Sequence, residues 1–367
     1  MALSPLNARR WRNFKANRRA FWSLWIFGAL FGLSLCAELI ANDRPLLVQY
    51  RGDYYTPFLN AYAETTFGGD FQTEAKYRDA EVQCLIVSGG VIDCLDDPGG
   101  ITARLAAGET IEGASPGWTL WPPIRSSYTT INDIGRAAPS PPDATHILGT
   151  DDTARDVAAR VIYGFRLSVT FALVVTFLTS VIGIAAGAVQ GYFGGLVDLI
   201  FQRIIEIWGS TPSLYIIIIV AAIWQMNFWL LVGLTVLFGW TALISVVRAE
   251  FLRARNFEYV RAAKALGVSD SVIMFRHVLP NAMVATVTFL PFLMSGAIGS
   301  LASLDFLGFG LPASAPSLGE LTLQAKQNLQ APWLAFTAFF TFAIMLSLMV
   351  FVFEGVRDAF DPRKTFQ

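Results

Sequence analysis

The sequence predicts an all-α integral membrane protein with six transmembrane helices and an external insertion after the first. Three observations carry this. Only 15% of the 367 residues are charged and 54% are hydrophobic, against about 25% charged in an average soluble chain. Six apolar runs of roughly 20 residues recur along the chain, each long enough to cross a bilayer as a helix. Lys and Arg fall mainly on one side of the topology those runs impose. The mean hydropathy of +0.49 and the 13% aromatic content agree, since Trp and Tyr gather at membrane interfaces.

Residues 1–20 are basic, with Arg9, Arg10, Arg12, Lys15, Arg18 and Arg19 and no acid. Such a tail reads as cytoplasmic and drawn to anionic lipid. Residues 21–41 form the first apolar run. For a cleaved signal peptide its basic and apolar parts are both too long, and no small-residue cleavage site follows. It is expected to be a retained anchor helix.

Residues 42–166 are different material. They hold Pro, Gly, Tyr and charges, with turn signals at GGDFQ, DDPGG and PSPPD. A stretch this long without regular structure is unusual inside a compact domain, so it reads as an insertion outside the membrane. Cys84 and Cys94 lie in it beside Asp93, Asp96 and Asp97. A disulfide between them is chemically permitted in an oxidising compartment; two free thiols fit the sequence as well. The aspartates lack the Gly and the spacing of a calcium loop. The insertion is expected to close on an amphipathic helix capped by Asp152 or Thr153 and lying along the membrane surface. Val157, Val161 and Ile162 share one face of it, and Arg155, Arg160 and Arg166 project elsewhere.

The remaining runs are 167–189, 204–224 with Pro212 inside, 228–247, 282–302 with Pro291 inside, and 333–353. Both prolines are tolerable, because neighbouring helices can satisfy the freed backbone groups. An N-terminus inside places Arg203, a basic island and the 357–367 tail on the cytoplasmic side. The island holds Arg248, Arg253, Arg255, Arg261, Lys264 and Arg276, and the tail holds Arg357, Arg363 and Lys364. The short outer loops hold only Lys326, while Arg160 and Arg166 are exceptions. Both termini are therefore expected in the cytoplasm.

The island is the most specific part of the chain. In 256–281, NFEYVRAAKALGVSDSVIMFRHVLPN, the residues Tyr259, Ala262, Ala263 and Leu266 make one helical stripe. Gly267 stands where that helix ends, and Ser269 can cap a second helix running to Pro280. The stretch reads as a docking surface and not a chemical site. The Gly-rich runs 183–187 and 296–299 suit close helix packing.

Several classes are excluded. A net charge of -1 gives no footprint for nucleic acid. Two histidines, His146 and His277, and three cysteines are too scattered for a metal cluster. No phosphate-binding G-x-x-x-x-G-K-[ST] run occurs, so any ATP must be bound by another chain. No catalytic triad or carboxylate pair stands in a plausible frame, and the chain is not expected to be an enzyme.

Arg261-Ala262-Ala263-Lys264-Ala265-Leu266-Gly267 followed by Leu279-Pro280 resembles the E-A-A-x3-G-x9-I-x-L-P motif of ABC importer permeases. Arg261 stands at the Glu position and His277 at the Ile position, with Glu258 nearby as a substitute acid. Leu148-Gly149-Thr150-Asp151, Arg155-Asp156, Arg160, Gly164 and Arg166 resemble a signature of the dipeptide/oligopeptide/nickel branch, with Ala154 replacing its Gly. Phe306-Leu307-Gly308-Phe309-Gly310, Pro316-Ser317-Leu318-Gly319 and Ala331-Pro332-Trp333 resemble that branch's last outer loop. The resemblance covers about residues 145–362. The N-terminal part is similar to the Yej-type group, importers of oligopeptides and of the peptide-nucleotide antibiotic microcin C, with residues 80–115 as added material.

The resemblance implies the type I importer permease fold, with a five-helix core at 167–356 and a coupling loop at 248–280, in a bacterial inner membrane. It implies a second homologous permease, ATPase subunits that bind ATP and Mg, and a periplasmic substrate-binding protein. Glu258, Tyr259, Arg261, Ala262, Ala263, Leu266 and Gly267 would couple to the ATPase. Gly183, Gly187, Pro212, Pro291, Gly296 and Gly299 are the pore candidates. No metal or cofactor is expected in this chain. The alternatives are the same machine carrying nickel or another small solute, or an ion-coupled secondary transporter. The latter predicts inverted repeats and acids near the bilayer midplane, and the sequence displays neither.

Overall fold

Among the described residues of the computed structural model, three helices are long and apolar enough to cross a bilayer: Val157–Phe193, Phe228–Ala254 and Pro332–Phe360. Two further pairs qualify when each is taken as one bent span. Gly195–Gly209 and Ser213–Ile223 meet at 60°, and Asp270–Val287 and Leu290–Phe306 at 54°. The breaks fall at the two sequence prolines. Pro212 caps the second half of the first pair. Pro291 is the second residue of its helix, where the missing N–H has no partner to lose. The structure describes residues 5–360; Arg363 and Lys364 of the expected tail lie outside the described residues.

Two expected elements differ. The first apolar run forms a helix at Arg18–Leu35, 18 residues long, then breaks before a short turn of helix at Ala37–Ile40. At about 1.5 Å per residue it reaches roughly 27 Å, just under a hydrocarbon core of about 30 Å. It is not among the helices that qualify as spans. The amphipathic stretch before the second run is not a separate surface helix. It opens the continuous 37-residue helix Val157–Phe193. The cap is Asp156, not Asp152 or Thr153: its Oδ1 accepts the N–H of Ala159 at 2.8 Å, three residues on.

The chain divides into two compact units. One comprises residues 1–32, 164–327 and 335–367, and its described elements are all helical. One close helix crossing in it is built on glycine. A Cβ on Gly183 would meet the Trp240 carbonyl at 2.7 Å, one on Gly187 the Val247 Cβ at 2.9 Å, and one on Gly191 the Arg248 carbonyl at 2.5 Å. Residues four apart share one helix face, so this row lets two backbones approach as small residues do between membrane helices.

The other unit, residues 33–163 with 328–334, adds a small sheet to the all-α expectation. Strands β1 (Leu47–Tyr50), β2 (Asp53–Tyr55) and β3 (Trp118–Leu120) lie antiparallel in the order β2-β1-β3. Arg51 and Gly52 join β1 to β2 with φ of 52° and 92°, the geometry of a two-residue hairpin turn. Strands of three or four residues carry too little periodicity to be seen in sequence. Val48, Tyr50, Phe67, Tyr77, Val82 and Ile86 form the core behind the sheet. Cys84 and Cys94 are joined by a disulfide, buried in a second cluster with Leu85 and Ile101.

A buried charge network closes this unit. The Asp151 carboxylate accepts from Arg155 Nε at 2.8 Å, Arg160 Nη1 at 2.5 Å, and the N–H groups of Thr153 and Arg155 at 2.9 Å. His146 Nδ1 lies 2.7 Å from Asp156. Arg160, an exception to the charge asymmetry, is therefore neutralised inside the protein.

Candidate functional site

The island folds as a short helix, Glu258–Ala265, fixed by one apolar face. Val260 is buried and Ala263 half-buried in a cluster with Tyr192, Phe251, Ala254, Ile273 and Met274. Tyr259, Ala262 and Leu266 face outward, and Leu266 is 83% exposed. The expected stripe thus divides: Ala263 anchors the helix, and the other three residues form the free surface. Glu258 and Arg261 are exposed beside it, and neither has an ion-pair partner among the described residues.

Gly267 ends this helix by a defined mechanism. Its φ is 76°, a left-handed conformation that costs Gly nothing. Its N–H bonds the Lys264 carbonyl at 3.0 Å, and the Val268 N–H bonds the Ala263 carbonyl at 3.1 Å. These are the two bonds of a Schellman cap. Val268 packs on the same cluster as Ala263, completing the hydrophobic contact of that motif.

Ser269 then stands at the N-cap of Asp270–Val272 without a side-chain capping bond. The second helix does not stop at Pro280. It passes through a π-turn at Ile273–Val278 into Leu279–Val287. The wider turn relieves the clash that Pro280 would make with the preceding carbonyls.

Two polar contacts tie the island to the end of the Val157–Phe193 helix, and a third lies within the island. Tyr192 Oη donates to Asp270 Oδ1 at 2.5 Å. Lys264 Nζ lies 3.8 Å from the same oxygen and 4.9 Å above the Tyr192 ring. Nearby, Arg248 makes a bidentate pair with Asp198 at 2.5 and 2.6 Å. These partners are 78 and 50 residues apart, and sequence spacing gives no hint of either. Arg203 and Glu206 pair at 2.5 Å on an exposed surface.

The pore candidates separate. Gly183 and Gly187 sit in the closed glycine row with Gly191, packed against a neighbouring helix. Gly191 went unnoticed in the sequence, although its spacing of four from Gly187 is the signal for such a row. Gly296 and Gly299 have nothing within 4 Å of an added Cβ and share an open face with Phe292. Pro212 is exposed and Pro291 half-buried. Beyond that helix, the loop after Phe306 is organised by buried Asp305, which accepts the Leu311 N–H at 2.7 Å and the Ser317 hydroxyl.

Comparison with known proteins assigns this arrangement. Residues 179–366 match the family described as binding-protein-dependent transport system inner membrane component. The chain is 53% identical to the inner membrane ABC transporter permease protein YejE of Escherichia coli over 363 residues, 99% of this chain and 98% of that one. The chain belongs to the binding-protein-dependent transport permeases. It is also 51% identical to the peptidoglycan transport system permease protein YejE of Agrobacterium fabrum, over 99% of this chain and 95% of the relative. An oligopeptide transport system permease protein, OppC of Lactococcus lactis, is 35% identical over 65% of this chain and 83% of its own length. The permease is thus a helical, multi-pass inner-membrane subunit of a transport system.

Proposed function

We propose that this permease forms one half of the pore of an ATP-driven ABC importer for oligopeptides and works by alternating access. The observation that carries the coupling role is the outward face of the Glu258–Ala265 helix: Tyr259, Ala262 and exposed Leu266, with Glu258 and Arg261 beside them, on a helix anchored from behind. An ATPase subunit covers that face, and its movement on binding and hydrolysing ATP with Mg is passed on through the anchored side. The second homologous permease completes the pore against the open face of Gly296, Gly299 and Phe292, and Pro212 and Pro291 kink the two bent spans. In this reading Arg18–Leu35 is the sixth span, both termini are cytoplasmic, and the 42–166 insertion is periplasmic, where it meets the substrate-binding protein.

The substrate reading rests on the relatives, whose names specify oligopeptide and peptidoglycan transport. Peptides released from the cell wall satisfy both descriptions. The test is uptake of a labelled tripeptide and of a labelled cell-wall muropeptide in cells with and without this gene. Loss of either uptake, restored by the permease and not by a Gly267→Val variant, supports the reading. Unchanged uptake of both on deletion refutes it. Purified alone, the chain should hydrolyse no ATP.

A further inference from the structure

We propose that an apolar groove beside the end of the Pro332–Phe360 helix binds one anionic phospholipid, with an acyl chain in the groove and the phosphate on Arg10 and Lys15 at its rim. The site goes beyond the transport reading and does not depend on what the permease carries.

A corner in the chain builds the groove. The helix Pro5–Ala16 ends before Asn17, whose side-chain oxygen accepts the Ala20 N–H at 3.2 Å and so caps the next helix, Arg18–Leu35. Inside the corner, Phe14, Ala20 and Ala359 form a buried cluster. Gly355 permits the approach: a Cβ there would clash with Ala20 and meet the Phe14 ring at 3.0 Å. The Pro5–Ala16 helix is thus fixed against the end of Pro332–Phe360. Between them lies a groove of about 380 Å³, lined by Trp11, Phe14, Leu24, Val352, Val356 and Phe360 and within the usual range for small-molecule sites. Trp11 and Phe14 stack 8° from parallel with centroids 5.7 Å apart, making one flat wall.

The level of the groove identifies its occupant as lipid. Val352 stands near the end of the apolar run 333–353, and Glu354, Arg357 and Asp358 follow it. The groove therefore lies where the helix leaves the hydrocarbon for the headgroups. Trp22 and Trp25 are exposed on the adjoining helix, as in an interfacial aromatic belt. An open apolar groove at that level meets acyl chains.

The rim sets the headgroup. Arg10 lines the groove, with its guanidinium 4.3 Å above the Phe360 ring. Lys15 Nζ lies 5.2 Å over the ring of Trp11, one turn back on the same helix face. Each cation is thus held beside the apolar wall by an aromatic ring. Lys15 has no carboxylate partner among the described residues, and residues 1–20 contain no acid. The phosphate of an anionic lipid suits these two donors. A zwitterionic lipid would bring its own ammonium toward the same cations.

The experiment is native mass spectrometry of the delipidated full-length permease, titrated with phosphatidylglycerol and with phosphatidylcholine of the same acyl chains. One phosphatidylglycerol should be retained about fivefold or more tightly than phosphatidylcholine. Lys15→Gln should weaken it about fivefold, the equivalent of one cation at a membrane surface. Arg9→Gln removes the same charge from the face of the helix opposite Trp11 and Phe14, and should change the affinity less than about twofold. Val352→Phe, which fills the groove, should weaken retention about tenfold. No stoichiometric binding, or equal retention of the two lipids, overturns the proposal. Equal losses in Lys15→Gln and Arg9→Gln also overturn it, because they make the attraction one of diffuse tail charge. So does an affinity that Lys15→Gln and Val352→Phe leave unchanged, which places the lipid elsewhere. Lys15 and Arg9 are exposed and their variants should melt as the parent does, so their comparison decides the matter even where Val352→Phe fails to fold.

Discussion

The two ends of the Val157–Phe193 helix are held by different physics. At its start, Arg160 and Asp151 have side chains 1% and 0% exposed, and the carboxylate is surrounded by five donors from Thr153, Arg155 and Arg160. At its end, the glycine row fits a neighbouring backbone, and the polar contacts run to Asp270, whose side chain is 51% exposed. In the first, buried charges and hydrogen bonds compensate one another for lost water, and displacing any of them is costly. In the second, shape does most of the holding and the bonds lie near solvent, where they are weak. The end that carries the island is therefore the one that can be moved at modest cost, which suits a mechanical role.

The comparison is tested hardest at Asp151. Asp151→Ala removes the carboxylate that pairs with two buried guanidinium groups, and removing one partner of a buried pair costs about 3–5 kcal/mol. Thermal melting of the detergent-purified permease should show the largest loss of any variant considered. Acid gives the same answer by titration. Burial raises the Asp151 pKa, but the charges of Arg160 and Arg155 and the backbone N–H donors outweigh it, and the net shift is downward. A carboxyl whose folded pKa lies below its unfolded value of about 3.9 stabilises the protein above that pH and loses its contribution as pH falls through the folded value. The melting advantage of the native chain over Asp151→Asn should thus hold at neutral pH and shrink only below about pH 4.

The glycine row gives the next largest effect. Gly187→Leu forces a side chain into the space of Val247 and the Ile244 carbonyl; overpacking of this kind costs about 1–3 kcal/mol or more. Gly296→Leu makes the same chemical change where nothing lies within 4 Å. It should leave the melting temperature of the isolated chain within about 0.5 kcal/mol of the parent while impairing assembly with a partner permease. Equal melting losses in the two variants would show that the two glycine faces are alike.

How much of this the sequence disclosed follows from which interactions are local. The apolar runs, the Pro212 and Pro291 breaks and the cap at Gly267 depend on residues a few positions apart, and periodicity and turn chemistry reveal them. The resemblance to ABC importer permeases rested on the 261–280 and 148–166 motifs, and the full-length relatives agree with it. What was hidden is tertiary. Asp198 finds Arg248, Tyr192 finds Asp270, and Gly183 faces Trp240 only once the helices are packed. The surface helix expected before the second run failed for a related reason. Its arginines read as a polar face turned away from Val157, Val161 and Ile162, because nothing in the local pattern shows that Asp151 turns back to meet Arg155 and Arg160.

The loosely held end predicts two small effects on stability. Tyr192→Phe removes the bond to Asp270, worth about 0.5–1.5 kcal/mol at most, with the half-exposed acceptor favouring the lower figure. Leu266→Ser should change the stability of the permease least of all, within about 0.5 kcal/mol, because the side chain is 83% exposed and touches none of the island's core. Its effect belongs to the assembled importer. An exposed leucine at the tip of an anchored helix has apolar area to bury only in a partner, and its loss from the contact should weaken retention of the ATPase subunit by about tenfold, the equivalent of losing one well-packed side chain. Co-purification of the ATPase with the native and Leu266→Ser permeases, both shown to melt alike, separates the two possibilities. Equal retention would mean that the outward face of the Glu258–Ala265 helix is not where the ATPase docks.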